Sequence, residues 1–275
     1  MPCPILRKNE QLLRRCSSIE KAKSLVPDLI YVSQGIDEKL VKIRGKTPLG
    51  KPIYQLVGLD DYCFYIPGFL DSDETLGSEI LTKWIDSPPH SNSLKHAQSN
   101  TTLWNEYMSS PSTCRLQHLR WSCVGYHYNW TDRSYDPECK SEFPTSFSEI
   151  YNTVLSNVNG ACNLNLKGNA ESAIINFYHA QRVSDRLGGH RDDVELTDDS
   201  PLVSGSMGQS AVLLIEDTSI VLSPGDVVVM AGKARQSLHA IPCVFSKKKR
   251  THAFSSACTE FLSKTRISIS IRQVY

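Results

Sequence analysis

The sequence contains no Cys-x-x-Cys pair among its 275 residues. Its nine cysteines are scattered at 3, 16, 63, 114, 123, 139, 162, 243 and 258. That excludes a structural zinc site of the common kind, and the odd count gives no disulfide framework. The thiols read as reduced, as in an intracellular protein. No apolar run approaches the ~20 residues of a membrane-crossing helix, and no signal peptide is expected at the start. Charge of one sign is also lacking: 30 basic residues face 29 acidic ones, for a net +1. Any surface for phosphates must therefore be local. No internal repeat is visible, which excludes a solenoid.

What remains is an ordinary globular composition, 40% hydrophobic and 21% charged, long enough to bury a sizeable core. Residues 1–55 read as helical first and then loose, with "KTPLGKP" as a break. This is an extension of the fold, not a second core. Its basic residues, Arg7, Lys8, Arg14, Arg15, Lys21 and Lys23, would suit a mitochondrial leader, whereas Glu10 and Glu20 argue against one. Residues 56–170 hold helices and an aromatic segment. "YCFYIPGF" (62–69) reads as a strand and turn. "DSDETLGSEILTKWI" (71–85) reads as a helix capped by Asp71 or Ser72 with Glu74 at capping-box distance, its apolar face Leu76, Ile80 and Leu81. Residues 86–102 form a polar loop and 146–162 another helix. From 171 to 275 short β-type runs take over: "AIINFY", "SAVLLI", "GDVVVM", "RISISI". Helices followed by strands predict an α+β fold with an antiparallel core, one integrated domain from about 60 to 275.

Within the β region, His190-Arg191-Asp192 places imidazole and carboxylate two residues apart, on one side of an extended chain. A later histidine, His239, completes two histidines and one carboxylate, a facial set that suits Fe(II) and leaves positions open. A solvated loop histidine and a hydrogen-bonded strand-end histidine are the bland alternatives. "RISISIR" (266–272) adds weight. Ile267, Ile269 and Ile271 face one way; Arg266, Ser268, Ser270 and Arg272 face the other. Two arginines on an inward face need anions, and a dicarboxylate offers two. Unless the triad is real, a wet edge strand explains them equally well. Asn176 and Tyr178 share one side of a strand twelve residues before the metal pair and can orient carboxylate oxygens. "WSCVGYHYNWTDRSY" (121–135) interleaves aromatics with charge: Tyr126, Tyr128 and Trp130 on one strand face, with Arg133 beyond. Stacking on bases and ordinary packing are equally good readings of any one ring.

Asn176-x-Tyr178, His190-x-Asp192, "SPGDVVVMAGKARQSLHAIP" ending near His239, and Arg266-x5-Arg272 together resemble the AlkB family of Fe(II)/2-oxoglutarate dioxygenases, which oxidise alkyl groups on nucleobases. "LRWSCVGYHYNW" and "LSKTRISISIRQV" are similar to the branch of the first eukaryotic homologue. The resemblance implies a double-stranded β-helix, a jelly roll, with N-terminal helices and a nucleotide-recognition lid. It implies Fe(II), 2-oxoglutarate and O2 as cofactors. It makes His190, Asp192 and His239 the iron ligands, and Arg266, with Tyr178 beside it, the holder of the distal carboxylate. Arg272, Asn176 and Ser268 complete the co-substrate set. Tyr126, Tyr128, Trp130, Arg133, Glu195 and Arg235 fall on the substrate side. Val194 stands where the bacterial prototype has a base-reading carboxylate, and Glu195 next to it is the expected substitute. The implied substrate is N6-methyladenine in DNA or methylated bases in tRNA such as 1-methyladenine, the implied state a monomer, the implied location nucleus or mitochondrion, with the cytoplasm open. "KKKR" (247–250) could touch phosphate, act as a nuclear signal, or be a solvated loop. Two other functions stay open: a protein (histone) demethylase or hydroxylase using the same chemistry, and a non-catalytic nucleic-acid-binding module.

Overall fold

Alternation in the last strand organises the molecule. In this computed structural model, which describes residues 3–59, 62–70, 73–94, 100–180, 185–197, 199–245 and 256–275, the elements in chain order are α1 (Pro4–Leu13), α2 (Ile19–Leu25), β1 (Val41–Lys46), β2 (Pro52–Leu56), β3 (Cys63–Ile66), α3 (Asp73–Lys83), β4 (Ser91–Asn92), α4 (Leu103–Ser109), β5 (Trp121–Asn129), β6 (Ser134–Lys140), α5 (Thr145–Cys162), β7 (Ser172–His179), β8 (Leu187–His190), β9 (Leu202–Met207), β10 (Ser210–Ile215), β11 (Thr218–Leu222), β12 (Val227–Met230), β13 (His239–Phe245), α6 (Ala257–Leu262) and β14 (Thr265–Arg272). Strand β14 lies between β7 and β9, antiparallel to both. Its isoleucines turn outward onto a core built with Ile80, Leu81, Phe147, Val154 and Phe261 from three helices. Its arginines and serines turn inward.

Two antiparallel sheets face each other. The large one runs β1-β2-β3-β12-β9-β14-β7-β5-β4, with β6 attached to β5. The small one runs β11-β10-β13-β8. A second apolar cluster, including Tyr178, Leu202, Leu213, Leu222, Val228, Met230 and Ile241, lies between them. This is the expected α+β jelly roll. Helices α3–α6 cover the outside of the large sheet, while α1 and α2 cover the small one through Leu6, Leu13, Ala22, Val212, Leu214 and Leu238. No helix among the described residues is long and apolar enough to cross a membrane.

The segment 1–55 is more ordered than its composition suggests. Its second half is not loose: β1 and β2 form a hairpin that extends the large sheet past β3. "KTPLGKP" is the turn between them, closed by Thr47 N–H to Lys51 O at 2.8 Å with Gly50 at φ +79°. Strand β1 is an edge strand with mostly exposed side chains, so it carries no apolar alternation to read. Helices α3 and α5 occupy the expected segments; the cap residues expected for α3, Asp71 and Ser72, lie outside the described residues, as does "KKKR".

Candidate metal centre and the cavity around it

His190 is the last residue of β8 and His239 the first of β13, and the sheet register sets them opposite each other. Their rings lie 4.2 Å apart, centroid to centroid. Asp192 follows two residues on. One ligand atom from each of the three side chains lies within 4.8 Å of the others. His190 Nδ1 is 2.9 Å from Gly188 O, and His239 Nδ1 is 3.1 Å from Ser237 O. A carbonyl only accepts, so both Nδ1 atoms carry the proton and each Nε2 keeps its lone pair. Burial, then the neighbouring His190, pushes His239 down to about 4, so it is a neutral imidazole at physiological pH. Burial works to raise the Asp192 carboxyl, but Arg272, His239, His190 and Arg235 outweigh it and hold the group well below the usual carboxylate range. Two imidazoles and one carboxylate are a ligand set for a divalent borderline metal.

Asp192 is also tied from behind. Its Oδ2 lies 3.0 Å from Arg272 Nη2, while Arg272 Nη1 reaches Glu195 Oε1 at 2.8 Å. Arg235 Nη2 lies 3.0 Å from Glu195 Oε2, and Arg235 Nη1 donates to the Asp192 carbonyl at 2.5 Å. Arg235, Glu195 and Arg272 are all buried. Here the structure corrects the expectation that Glu195 and Arg235 face the substrate. Both Glu195 oxygens meet guanidinium groups, neither residue lines the cavity, and a base-reading carboxylate would need a free oxygen facing it. Val194, the neighbour of Glu195, does line the cavity.

The cavity holds about 310 Å³ between the two sheets, and its walls include the three candidate ligands. Asn176, Tyr178, Arg266, Ser268 and Arg272 all line it, as the alternation of β7 and β14 requires. Arg266 has no accessible surface. Its Nη2 donates to Ser206 Oγ at 2.9 Å, and its guanidinium sits 5.1 Å from the Tyr178 ring centre. Its Nε and Nη1 have no hydrogen-bond partner among the described residues. Burial lowers its pKa, opposed by Tyr178. A buried guanidinium with unmet donors is costly unless an anion completes it.

At the mouth, Tyr128, Trp130 and Arg133 line the cavity. The Tyr128 and Trp130 rings meet edge to face at 4.7 Å, and Trp130 also packs on Trp121 at 5.2 Å. Trp130 is 46% exposed although it is large and apolar. Tyr126 does not belong to this group. Its ring packs 4.9 Å from Tyr275, with Lys140 Nζ 5.5 Å away, and it does not line the cavity. The cause is an irregularity in the β5–β6 register between Tyr126 and Tyr128, next to Gly125 at φ +70°. A bulge of this kind re-aims side chains, so simple alternation fails there. Trp121 and Tyr135, which the alternation does not select, back these rings: Trp121 packs on Trp130, and Tyr135, opposite Tyr128 in the β5–β6 pairing, lies 5.4 Å from it. Ser206 is likewise invisible in sequence, a small residue in an unremarkable strand.

Residues 63–272 match the 2OG-Fe(II) oxygenase superfamily. The chain belongs to that superfamily. Relatives include an Arabidopsis thaliana protein named DNA N(6)-methyladenine demethylase ALKBH1A, 31% identical over 58% of this chain and 50% of its own. Another, from Schizosaccharomyces pombe, is named tRNA demethylase abh1 and is 31% identical over 58% of this chain and 55% of its own. The chain thus spans about half the length of these two curated relatives. A solved structure titled as that of OsALKBH1 shares the fold, with a TM-score of 0.52 at 20% identity over 77% of this chain and 96% of that one. The AlkB resemblance read from the sequence agrees with these names. Membership brings Fe(II), 2-oxoglutarate and O2 as cofactors, and the cavity fits them: a His-Asp-His donor set on one wall, and a buried guanidinium with unmet donors for a carboxylate on another.

Proposed function

We propose that the chain is an Fe(II)/2-oxoglutarate-dependent dioxygenase that removes methyl groups from nucleobases, N6-methyladenine in DNA or methylated bases in tRNA such as 1-methyladenine. The observation that carries this reading is Arg266. It is a fully buried cation with two unmet donors, in the same cavity as the triad. A metal site alone would not require it, but a dicarboxylate co-substrate does.

In this reading His190 Nε2, Asp192 and His239 Nε2 hold the iron. Arg266, steered by Ser206 and Tyr178, grips the distal carboxylate, and Asn176 and Ser268 flank it. When bound, iron and 2-oxoglutarate supply the oxidative attack on a methyl C–H bond, consuming O2 and releasing succinate, CO2 and formaldehyde. The chain's own part is to hold these groups fixed, to keep water out with Leu213, Leu222, Val228 and Met230, and to bring the base to the mouth. A base taken out of its stack costs a few kcal/mol, and stacking on Trp130 and Tyr128 offsets it by roughly 1–3 kcal/mol per base. Arg133, largely exposed at the rim with Asp193 Oδ1 3.7 Å from its Nη2, is in this reading the group that meets a phosphate.

The test is mass spectrometry of nucleosides after incubation with iron, 2-oxoglutarate and a panel of methylated DNA and tRNA oligonucleotides, with methylated histone peptides in parallel. Loss of a nucleobase methyl group that depends on 2-oxoglutarate is expected. Turnover of the peptides alone would overturn the substrate class, and absence of 2-oxoglutarate turnover with every substrate would overturn the enzyme.

A further inference from the structure

Glu195 and Arg235 are left without a role once they are removed from the substrate side, yet burying two more charges has a cost that packing alone does not explain. Both lie behind the candidate ligand Asp192. Arg272 is shared: one nitrogen faces Asp192 Oδ2 at 3.0 Å, another Glu195 Oε1 at 2.8 Å. Arg235 closes the ring, on Glu195 Oε2 at 3.0 Å and on the Asp192 backbone carbonyl at 2.5 Å. The four side-chain charges, two positive and two negative, sum to zero.

Resting on the reading that His190, Asp192 and His239 hold the metal, we propose that Glu195 and Arg235 are positioning residues for the metal-binding carboxylate. Glu195 takes part of the Arg272 guanidinium, so that Arg272 orients Asp192 through one oxygen without neutralising it. Arg235 fixes both the Asp192 backbone and Glu195. Their closeness in sequence to the triad makes this compact: Glu195 is three residues after Asp192, and Arg235 four before His239. If Glu195 loses its charge, the network carries a net +1 beside the place where a dication must sit. Arg272 is then free to pair with Asp192 alone. Both changes weaken metal binding. Partners behind metal ligands typically change metal affinity by about 10–100-fold when removed.

The experiment is Mn(II) binding to the full chain, followed by calorimetry and by the paramagnetic resonance of free Mn(II), without 2-oxoglutarate or nucleic acid. Glu195→Gln should weaken Mn(II) binding about 10–100-fold, and Glu195→Asp should recover part of it. The double variant Glu195→Gln with Arg235→Gln restores charge balance, and so guards against a fold that fails when a cation is orphaned. A purely structural pair predicts normal Mn(II) affinity in the folded double variant; a positioning pair predicts that it stays weakened. Mn(II) affinity within twofold of the parent in folded Glu195→Gln or in the double variant would overturn the inference. An Asp192→Ala arm separates the two claims: parent-like Mn(II) affinity there would overturn the metal assignment itself, whatever Glu195 does.

Discussion

At the residue scale, Arg266 and Trp130 make opposite demands on the fold. Arg266 is buried with its donors unmet, so its value lies in geometry. Lysine keeps the charge but loses the planar fork that meets a carboxylate with two bonds. Arg266→Lys is expected to weaken 2-oxoglutarate binding by tenfold or more, about 1.4 kcal/mol, while Mn(II) binding stays near the parent value. Titration calorimetry with each ligand checks this, and unchanged 2-oxoglutarate affinity would remove Arg266 from the co-substrate site. Trp130 is nearly half exposed, so truncation costs far less than the roughly 3–5 kcal/mol of a buried aromatic. Trp130→Ala is therefore expected to leave the melting temperature and substrate-free 2-oxoglutarate decarboxylation almost unchanged. Oligonucleotide binding should weaken by roughly 1–3 kcal/mol. A joint fall in stability and decarboxylation would show that the ring packs the fold and does not read a base. Tyr126, packed on Tyr275 away from the cavity, should not share the Trp130 binding phenotype.

At the element scale, the metal strand depends on the N-terminal helix. β8 has four residues and, among the described residues, pairs only with β13. Helix α1 covers it. A Cβ built on Gly189 would meet Leu6 at 3.2 Å, so the glycine just before His190 eases the close approach of the helix. Leu6 is fully buried, and Leu6→Ala is expected to cost about 2–5 kcal/mol. Because the cavity it leaves lies under β8, Mn(II) affinity should fall along with the melting temperature, whereas a core truncation of similar size on the far side, Val154→Ala in α5, should lower the melting temperature alone. Equal metal loss in both variants would mean that α1 has no special hold on the centre. This dependence could not be read from the sequence, where 1–55 looks like an appendage. The pattern carries the central elements: β14 and β7 alternate, α3 and α5 show apolar faces, and the three candidate ligands and Arg266 line one cavity. It fails where a contact is made across the chain or where backbone geometry breaks the period. Strand β1 has no apolar alternation because it is an edge, Tyr126 is turned aside by the irregularity after Gly125, and Glu195 is drawn inward by two arginines distant in sequence. Composition says that charge must be paired, and only the fold says with what.

At the scale of the whole molecule, the two sheets bring complementary groups to one cavity. Arg266 on the large sheet offers two buried donors without a partner among the described residues, and the triad at the edge of the small sheet offers one ligand atom from each of three side chains. Ligands that complete both walls should therefore tie the sheets together and raise the stability of the entire domain, since whatever binds only the folded state stabilises it by mass action. At a hundredfold excess over its dissociation constant, one ligand contributes about 2.7 kcal/mol. For a chain of this size, each kcal/mol moves the melting temperature by roughly 2–4 °C, so Mn(II) and 2-oxoglutarate at that excess should each raise it by some 5–10 °C. The two increments should also depend on each other, because the triad and Arg266 line the same cavity. Mn(II) alone should raise the melting temperature of the parent and of Arg266→Lys alike. Adding 2-oxoglutarate at a fixed concentration should raise it further in the parent and much less in Arg266→Lys. In Asp192→Ala both increments should shrink, and chelation of the metal from the parent should remove most of the 2-oxoglutarate increment too. Differential scanning fluorimetry across this small matrix is enough to decide. A 2-oxoglutarate increment that survives chelation undiminished would mean that the dicarboxylate binds away from the triad, and the cavity would then have to be read as two separate sites.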